Sequence, residues 1–337
     1  MRRRLVTARL ITVINLLNKS AALAYRRETG LLDFDWRVLA TVGWRAPLSF
    51  TELATMLSQD KGQISRSVKR LVGAGQLSHP HARAKIALTR AGMLSCERVY
   101  EMFIERNVVL IRGIATQELT IVWTLLPKVL ENARSLVTEE LSRVTGEPEP
   151  PDRHDVGAGT TLFDDEPPWT PRHDRRFAQL MTPLLANVVG TMRKSAAMTF
   201  KRELGLSDFG WRVMSQIGEH SPVELSRLVG IMSRDKSQIG RSVTRLERAG
   251  YVTRQRMPGT RNIVLVTTEA GRTLYARLAK LSLRRDQTLR RDLSGEEQDV
   301  LLDVLDKLAT NADALYQREQ ALNRGASAPT EVFHAAP

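Results

Sequence analysis

The chain has 337 residues, 42% of them hydrophobic and 5% aromatic, with a formal net charge of +13 and a sequence pI near 10.3. That length accommodates two ordinary domains, each with its own core, and the composition is that of a globular protein. The single cysteine, Cys96, excludes an internal disulfide and fits a reducing, cytoplasmic compartment.

Charge is unevenly placed. Residues 145–170 carry Glu147, Glu149, Asp152, Asp155, Asp164, Asp165 and Glu166 against one base, Arg153, so that stretch is about −6 and the remainder roughly +19. A body this basic attracts polyanions, with nucleic acid ahead of an anionic membrane. The Met1-Arg2-Arg3-Arg4 start resembles a signal-peptide end, but Arg9, Asn15, Asn18 and Lys19 interrupt the apolar stretch after it. No run reaches membrane-spanning length without charge.

Leu5, Leu10, Val13, Ile14 and Leu17 have helical spacing, and Gly30 marks the end of this first helix. A second helix is predicted from about Trp36 to Thr41. Ser49-Phe50-Thr51-Glu52 has capping-box spacing and starts a short third. The fourth opens at Asp60 with Gln63 and ends before Gly75. Two short strands, Gln76–His79 and Lys85–Thr89, come next, and long helices close the set at roughly 92–112 and 117–143.

The same order then returns. Ser20-Ala21-Ala22, Trp36-Arg37-Val38, Asp60-Lys61 and Arg66-Ser67-Val68 recur 175 residues later as Ser195-Ala196-Ala197, Trp211-Arg212-Val213, Asp235-Lys236 and Arg241-Ser242-Val243. Ala91-Gly92 recurs at a shift of 179, as Ala270-Gly271. The second set starts with a helix on Leu180, Leu185, Val188, Val189 and Met192 that ends at Gly205, then a helix from Trp211 to Ile217. Ser221-Pro222-Val223-Glu224 reads as another cap with proline at the first helical position. A helix opened by Asp235 with Gln238 ends before Gly250. Strands Tyr251–Arg256 and Asn262–Thr267 flank Met257-Pro258-Gly259-Thr260, and helices at 271–291 and 295–322 close the set.

The predicted organisation is two copies of one domain, 1–145 and 176–324, joined by an acidic, proline-rich linker at 146–175 and followed by a flexible tail, 325–337. His154 and His173 with Asp152, Asp155 and Asp174 lie in the linker without metal-ligand spacing, so they read as solvated residues. No metal or cofactor is expected. Cys96 reads as a small core residue in preference to a redox sensor.

Helix, helix, capped helix, strand, turn, strand is the order of a winged helix-turn-helix, giving a mainly α fold with small β-wings. In the fourth helix Ile64, Val68 and Leu71 form one apolar stripe, and Gly62, Gln63, Arg66, Lys69 and Arg70 point outward. The second copy buries Ile239, Val243 and Leu246 and presents Ser237, Gln238, Arg241, Thr244 and Arg245. Neither outward set holds an acid. Arginine can pair with guanine through two hydrogen bonds and glutamine with adenine, so this face suits a DNA major groove. Arg254, Arg256 and Arg261 in the second hairpin, and Arg83 and Lys85 in the first, are candidate wing contacts. Lys61, Ser65 and Lys236 complete the candidate DNA-binding set.

Asp60-Lys61-Gly62-Gln63-Ile64-Ser65-Arg66 with Leu71 and Gly75, then Leu88-Thr89 and Gly92, resembles the multiple-antibiotic-resistance regulator (MarR) family. Asp235-Lys236-Ser237-Gln238-Ile239-Gly240-Arg241, with Leu246, Gly250, Thr268 and Gly271, resembles it again. The resemblance implies a transcriptional regulator, often a repressor released by a small aromatic or anionic ligand. It implies dimers joined through first and last helices, here 5–27, 117–143, 180–202 and 295–322. It also implies recognition helices at 60–73 and 235–248, with wings at 79–88 and 254–266. Two departures stand out. Glu224 to Asp235 spans three residues more than Glu52 to Asp60, and the first wing is short, so either the halves are expected to read different sequences or one of them is expected to read poorly.

Two copies on one chain lead to the expectation of an intramolecular pseudo-dimer. A flexible 30-residue linker spans roughly 30 Å and holds its ends at an effective concentration on the order of millimolar. The recognition helices would then meet major grooves about 34 Å apart. Trp36, Arg37, Trp211 and Arg212 are candidate walls and carboxylate partners for an effector, although core tryptophans with surface arginines fit the pattern better. The six histidines form no repeated catalytic constellation, so no enzyme is expected. A winged module that binds protein without reading DNA is the alternative.

Overall fold

A computed structural model describes residues 5–32, 34–57, 61–79, 81, 84–145, 180–232, 236–256 and 262–325. The 146–175 linker, most of the tail, Asp60, Asp235, Arg83, Arg261 and the Pro258-Gly259 turn lie outside the described residues. The described residues separate into two compact units. One holds the residues up to Leu126, those from 180 to Val189 and those from Ser294 onward; the other holds 127–145 and Gly190–Leu293.

In the first unit, α1 (Val6–Thr29), α2 (Asp35–Arg45), α3 (Phe50–Leu57) and α4 (Lys61–Gly73) precede a minimal hairpin of β1 (Leu77–Ser78) and β2 (Ala87–Leu88). Leu77 faces Leu88 across it, and Leu48 bridges to Ile86 as a rudimentary third strand. Next come α5 (Arg90–Leu110) and the start of α6 (Thr116–Thr145). The expected apolar spacing is what buries α1: Leu10, Val13, Ile14 and Leu17 are all buried. Gly30 ends the helix in the left-handed region at φ 68°, its N–H donating to the Arg26 carbonyl. Ser49 forms the predicted capping box, since its N–H donates to Glu52 and its hydroxyl accepts from the Glu52 N–H.

The second unit contains the end of α7 (Met181–Leu204), then α8 (Asp208–His220), β3 (Val223–Glu224), α9 (Leu225–Met232) and α10 (Lys236–Arg248). The antiparallel strands β4 (Val252–Arg256) and β5 (Ile263–Thr267) and the helix α11 (Glu269–Leu289) come after them. The sheet order is β3-β5-β4, with Val223 opposite Leu265 and Val252 opposite Thr267. The last helix, α12 (Gly295–Asn323), falls in the first unit. The described residues are thus mainly helical with small antiparallel sheets, as the sequence order predicts.

Ser221-Pro222-Val223-Glu224 does not cap a helix. Val223 and Glu224 pair with β5, and the Ser221 hydroxyl accepts from the Thr267 N–H. The α9 helix opens only at Leu225. This removes the expected difference in helix-turn spacing. The α3 and α9 helices each have eight residues, and three residues separate α3 from α4 and α9 from α10. A proline beside a serine with a glutamate three on from it fits a cap or a strand entry equally well, and pairing to β5 decides for the strand.

Each unit is also completed by a helix from the other half of the sequence. In the first unit α12 packs along α1: Arg9 pairs with Asp306 and Arg27 with Glu319, while Asn311 donates to the Leu110 carbonyl at 2.8 Å. In the second unit the end of α6 supplies the matching groups. Arg202 makes a two-pronged bond to Glu140 (2.9 and 2.8 Å), and Asn132 donates to the Leu289 carbonyl at 3.2 Å. Two arginines, half-buried Arg106 and buried Arg285, occupy corresponding places. Arg106 donates to Ser20; Arg285 donates to Ser195 and Thr199, and burial lowers its pKa to about 10.

Candidate nucleic-acid interface

The α4 helix is held by the stripe foreseen in the sequence, with Ile64, Val68 and Leu71 buried, and α10 by Ile239, Val243 and Leu246. Fixing those faces leaves the opposite ones to solvent. Lys61, Ser65, Arg66, Lys69 and Arg70 are exposed on α4, and Gln63 is half-buried. On α10, Lys236, Ser237, Gln238, Arg241 and Arg245 are exposed and Thr244 is half-buried. Both exposed faces are therefore basic or neutral, and the apolar stripe sets their direction.

Arg70 and Arg254, both predicted to face DNA, are engaged by carboxylates within the protein. Arg70 turns to α2, where its guanidinium binds Asp35. Arg254 on β4 folds back onto α10, donating to the Thr244 hydroxyl at 2.8 Å and pairing with Glu247 at 3.0 Å. That contact ties the wing to the recognition helix instead of extending Arg254 outward. Arg256 and Lys85 are exposed; Arg83 and Arg261 lie outside the described residues. Sequence reasoning missed Asp35 and Glu247. Asp35 leaves a trace in the sequence, because Phe34-Asp35-Trp36 becomes Phe209-Gly210-Trp211 in an otherwise matched stretch.

The candidate effector residues are drawn into the cores. Trp36 joins the first core and packs on Tyr25 with ring centroids 4.6 Å apart, and Trp211 packs on Phe200 at 4.8 Å. Arg37 lies over the Trp36 ring and donates to Asn18; Arg212 lies over Trp211 and pairs with Asp208 at 2.8 Å. Tyr25 Oη, Trp36 Nε1 and Trp211 Nε1 are buried without a hydrogen-bond partner among the described residues.

Cys96 is fully buried, and desolvation pushes its thiol pKa up to about 12, leaving it a core residue. The described residues contain no group of three metal-ligating side chains, and none of their helices is long and apolar enough to cross a membrane.

Residues 206–264 match the MarR family model. This MarR-type segment runs from just before α8 into β5 and contains all of α9 and α10. No curated protein matches the chain. Among solved structures, the chain is similar to a MarR family transcriptional regulator from Listeria monocytogenes complexed with a 26mer DNA. The two are 20% identical, over 40% of this chain and 88% of that one, with a TM-score of 0.34. A MarR/EmrR family transcriptional regulator from Acinetobacter sp. ADP1 is 23% identical over 43% of this chain and 99% of its own, with a TM-score of 0.36. A structure of MarR is 26% identical over 35% and 90%, with a TM-score of 0.33.

Proposed function

We propose that the chain is a double-stranded-DNA-binding transcriptional regulator built from two MarR-type domains, 1–145 and 176–324, acting as a single-chain pseudo-dimer. The observation that carries the DNA reading is the pair of exposed, acid-free faces on α4 and α10, the second inside the MarR-matched segment. Support for the pseudo-dimer comes from the helix exchange. The closing helix of each half completes the unit of the other, through corresponding groups: Glu140 to Arg202 and Glu319 to Arg27, Asn132 to Leu289 and Asn311 to Leu110.

Each recognition helix then reads one half of an operator that is not a perfect palindrome. Gln63, Arg66, Gln238 and Arg241 are the base-reading candidates, and Lys61, Lys69, Lys236, Arg256 and Lys85 the phosphate contacts. The regulator is proposed to repress until a small aromatic anion binds.

Selection of bound sequences from a random DNA pool, followed by affinity measurement across a salt series, tests this reading. The expected result is a defined site with affinity falling steeply as salt rises. Arg66→Ala and Arg241→Ala are each expected to cost about 1–3 kcal/mol of binding and to relax base preference in one half of that site. A protein that enriches no sequence and ignores duplex DNA at low salt would instead fit a protein-binding winged module.

A further inference from the structure

The two recognition helices differ in how one matched arginine is held. In the first unit Asp35, at the start of α2, is buried at 4% exposure. Its Oδ1 accepts from the Ser67 hydroxyl at 2.5 Å and from Arg70 Nη2 at 2.6 Å, and its Oδ2 accepts from Arg70 Nε at 3.0 Å. This is a two-pronged guanidinium–carboxylate bond, and it raises the Arg70 pKa. Position by position, 175 residues on, the second unit has Gly210, Ser242 and Arg245. Ser242 is buried as Ser67 is, but glycine supplies no carboxylate. Arg245 is exposed and forms no ion pair with another described residue; Asp208, two residues before Gly210, pairs with Arg212.

We propose that Asp35 is a specificity-determining positioning residue that withdraws Arg70 from DNA, so that the two halves of the operator are read unequally. This rests on the DNA-reading function proposed above. With its Nε–Nη2 edge occupied and its charge offset by Asp35, Arg70 neither offers that edge to a guanine nor adds net charge toward the phosphates. Arg245 keeps both. The α4 helix therefore presents Arg66 as its one committed arginine, whereas α10 presents Arg241 and Arg245. Selection for an asymmetric site is built into one aspartate-to-glycine difference between the halves.

The test uses the full chain and the site enriched from a random pool, with binding measured across a salt series. Arg245→Ala is expected to weaken binding about 10-fold and to flatten base preference within one half-site. Arg70→Ala is expected to stay within about twofold of the parent protein. Asp35→Asn releases Arg70 and is expected to tighten binding and steepen the salt slope by about one. Because Arg70→Ala strands a buried carboxylate, the double variant Asp35→Asn/Arg70→Ala serves as its folding-safe counterpart and should also bind like the parent. Equal losses from Arg70→Ala and Arg245→Ala, with either folded form, overturn the proposal, as does an unchanged salt slope in Asp35→Asn. Failure of the parent protein to bind any duplex at low salt overturns the DNA-reading function itself, a result distinct from these.

Discussion

Alanine at Gly92 or Gly271 is expected to destabilise the unit that contains it by about 1–3 kcal/mol or more, among the largest single effects in the protein. The cause is a close backbone approach. An added Cβ would sit 1.9 Å from the Gln76 carbonyl oxygen at Gly92, and 2.0 Å from the Tyr251 carbonyl oxygen at Gly271. Neither oxygen can swing aside cheaply, because each accepts the N–H of the helix-capping threonine, Thr89 or Thr268, at 3.1 Å. Those threonine hydroxyls in turn accept from the Gly92 and Gly271 N–H groups at 3.0 Å. The capped start of the helix and the residue that enters β1 or β4 are thus locked together, and only hydrogen fits between them. Thermal and denaturant unfolding of Gly92→Ala and Gly271→Ala checks this; midpoints unchanged from the parent would show that the contact relaxes without cost.

Glu140→Ala is expected to cost the second unit about 3 kcal/mol, although Glu140 comes from the first half of the sequence. Its side chain is 4% exposed and accepts from Arg202, Thr199 and Arg143. Removing it leaves Arg202 without its two-pronged partner and takes from the buried Arg285 the larger of its two counter-charges, Glu139 being the other. Glu319→Ala, in the first unit, should cost less, since its bonds to Arg27 are longer, at 3.0 and 3.3 Å. Burial alone would raise the Glu140 pKa, but the bonds from Arg202 and Thr199 and the charges of Arg202 and Arg143 outweigh it and hold the carboxyl below its ordinary range. A depressed carboxyl stabilises the folded state above its unfolded pKa and loses that contribution as pH falls through its folded value. The parent protein should therefore lose more stability than Glu140→Ala on acidification from pH 5 to pH 3, measured as the change in denaturant midpoint. Parallel losses in the two proteins would deny Glu140 this role.

The legible parts of this fold were those set by local periodicity. Ile64, Val68 and Leu71 are spaced so that a helix must bury them together, and that fixes which side chains face outward without knowledge of any neighbour. The Ser49–Glu52 cap was legible for the same reason. The parts that could not be read depended on partners distant in sequence. Ser221–Glu224 matches a cap until Val223 finds β5. Arg70 looks like an outward base-reader until Asp35, 35 residues earlier, takes its guanidinium, and Arg254 looks like a wing contact until Glu247 claims it. The exchange of α6 and α12 between units is carried by residues such as Asn132 and Asn311, whose partners, Leu289 and Leu110, offer only backbone carbonyls and so leave no mark in the sequence.

The mass of the protein–DNA complex tests the central proposal most directly. Native mass spectrometry or sedimentation equilibrium on the full chain with its selected duplex should give one 37.9 kDa chain per site at every protein concentration that saturates the DNA. A complex holding two chains on one site, assembling in step with protein concentration, would contradict a dimer contained within a single polypeptide.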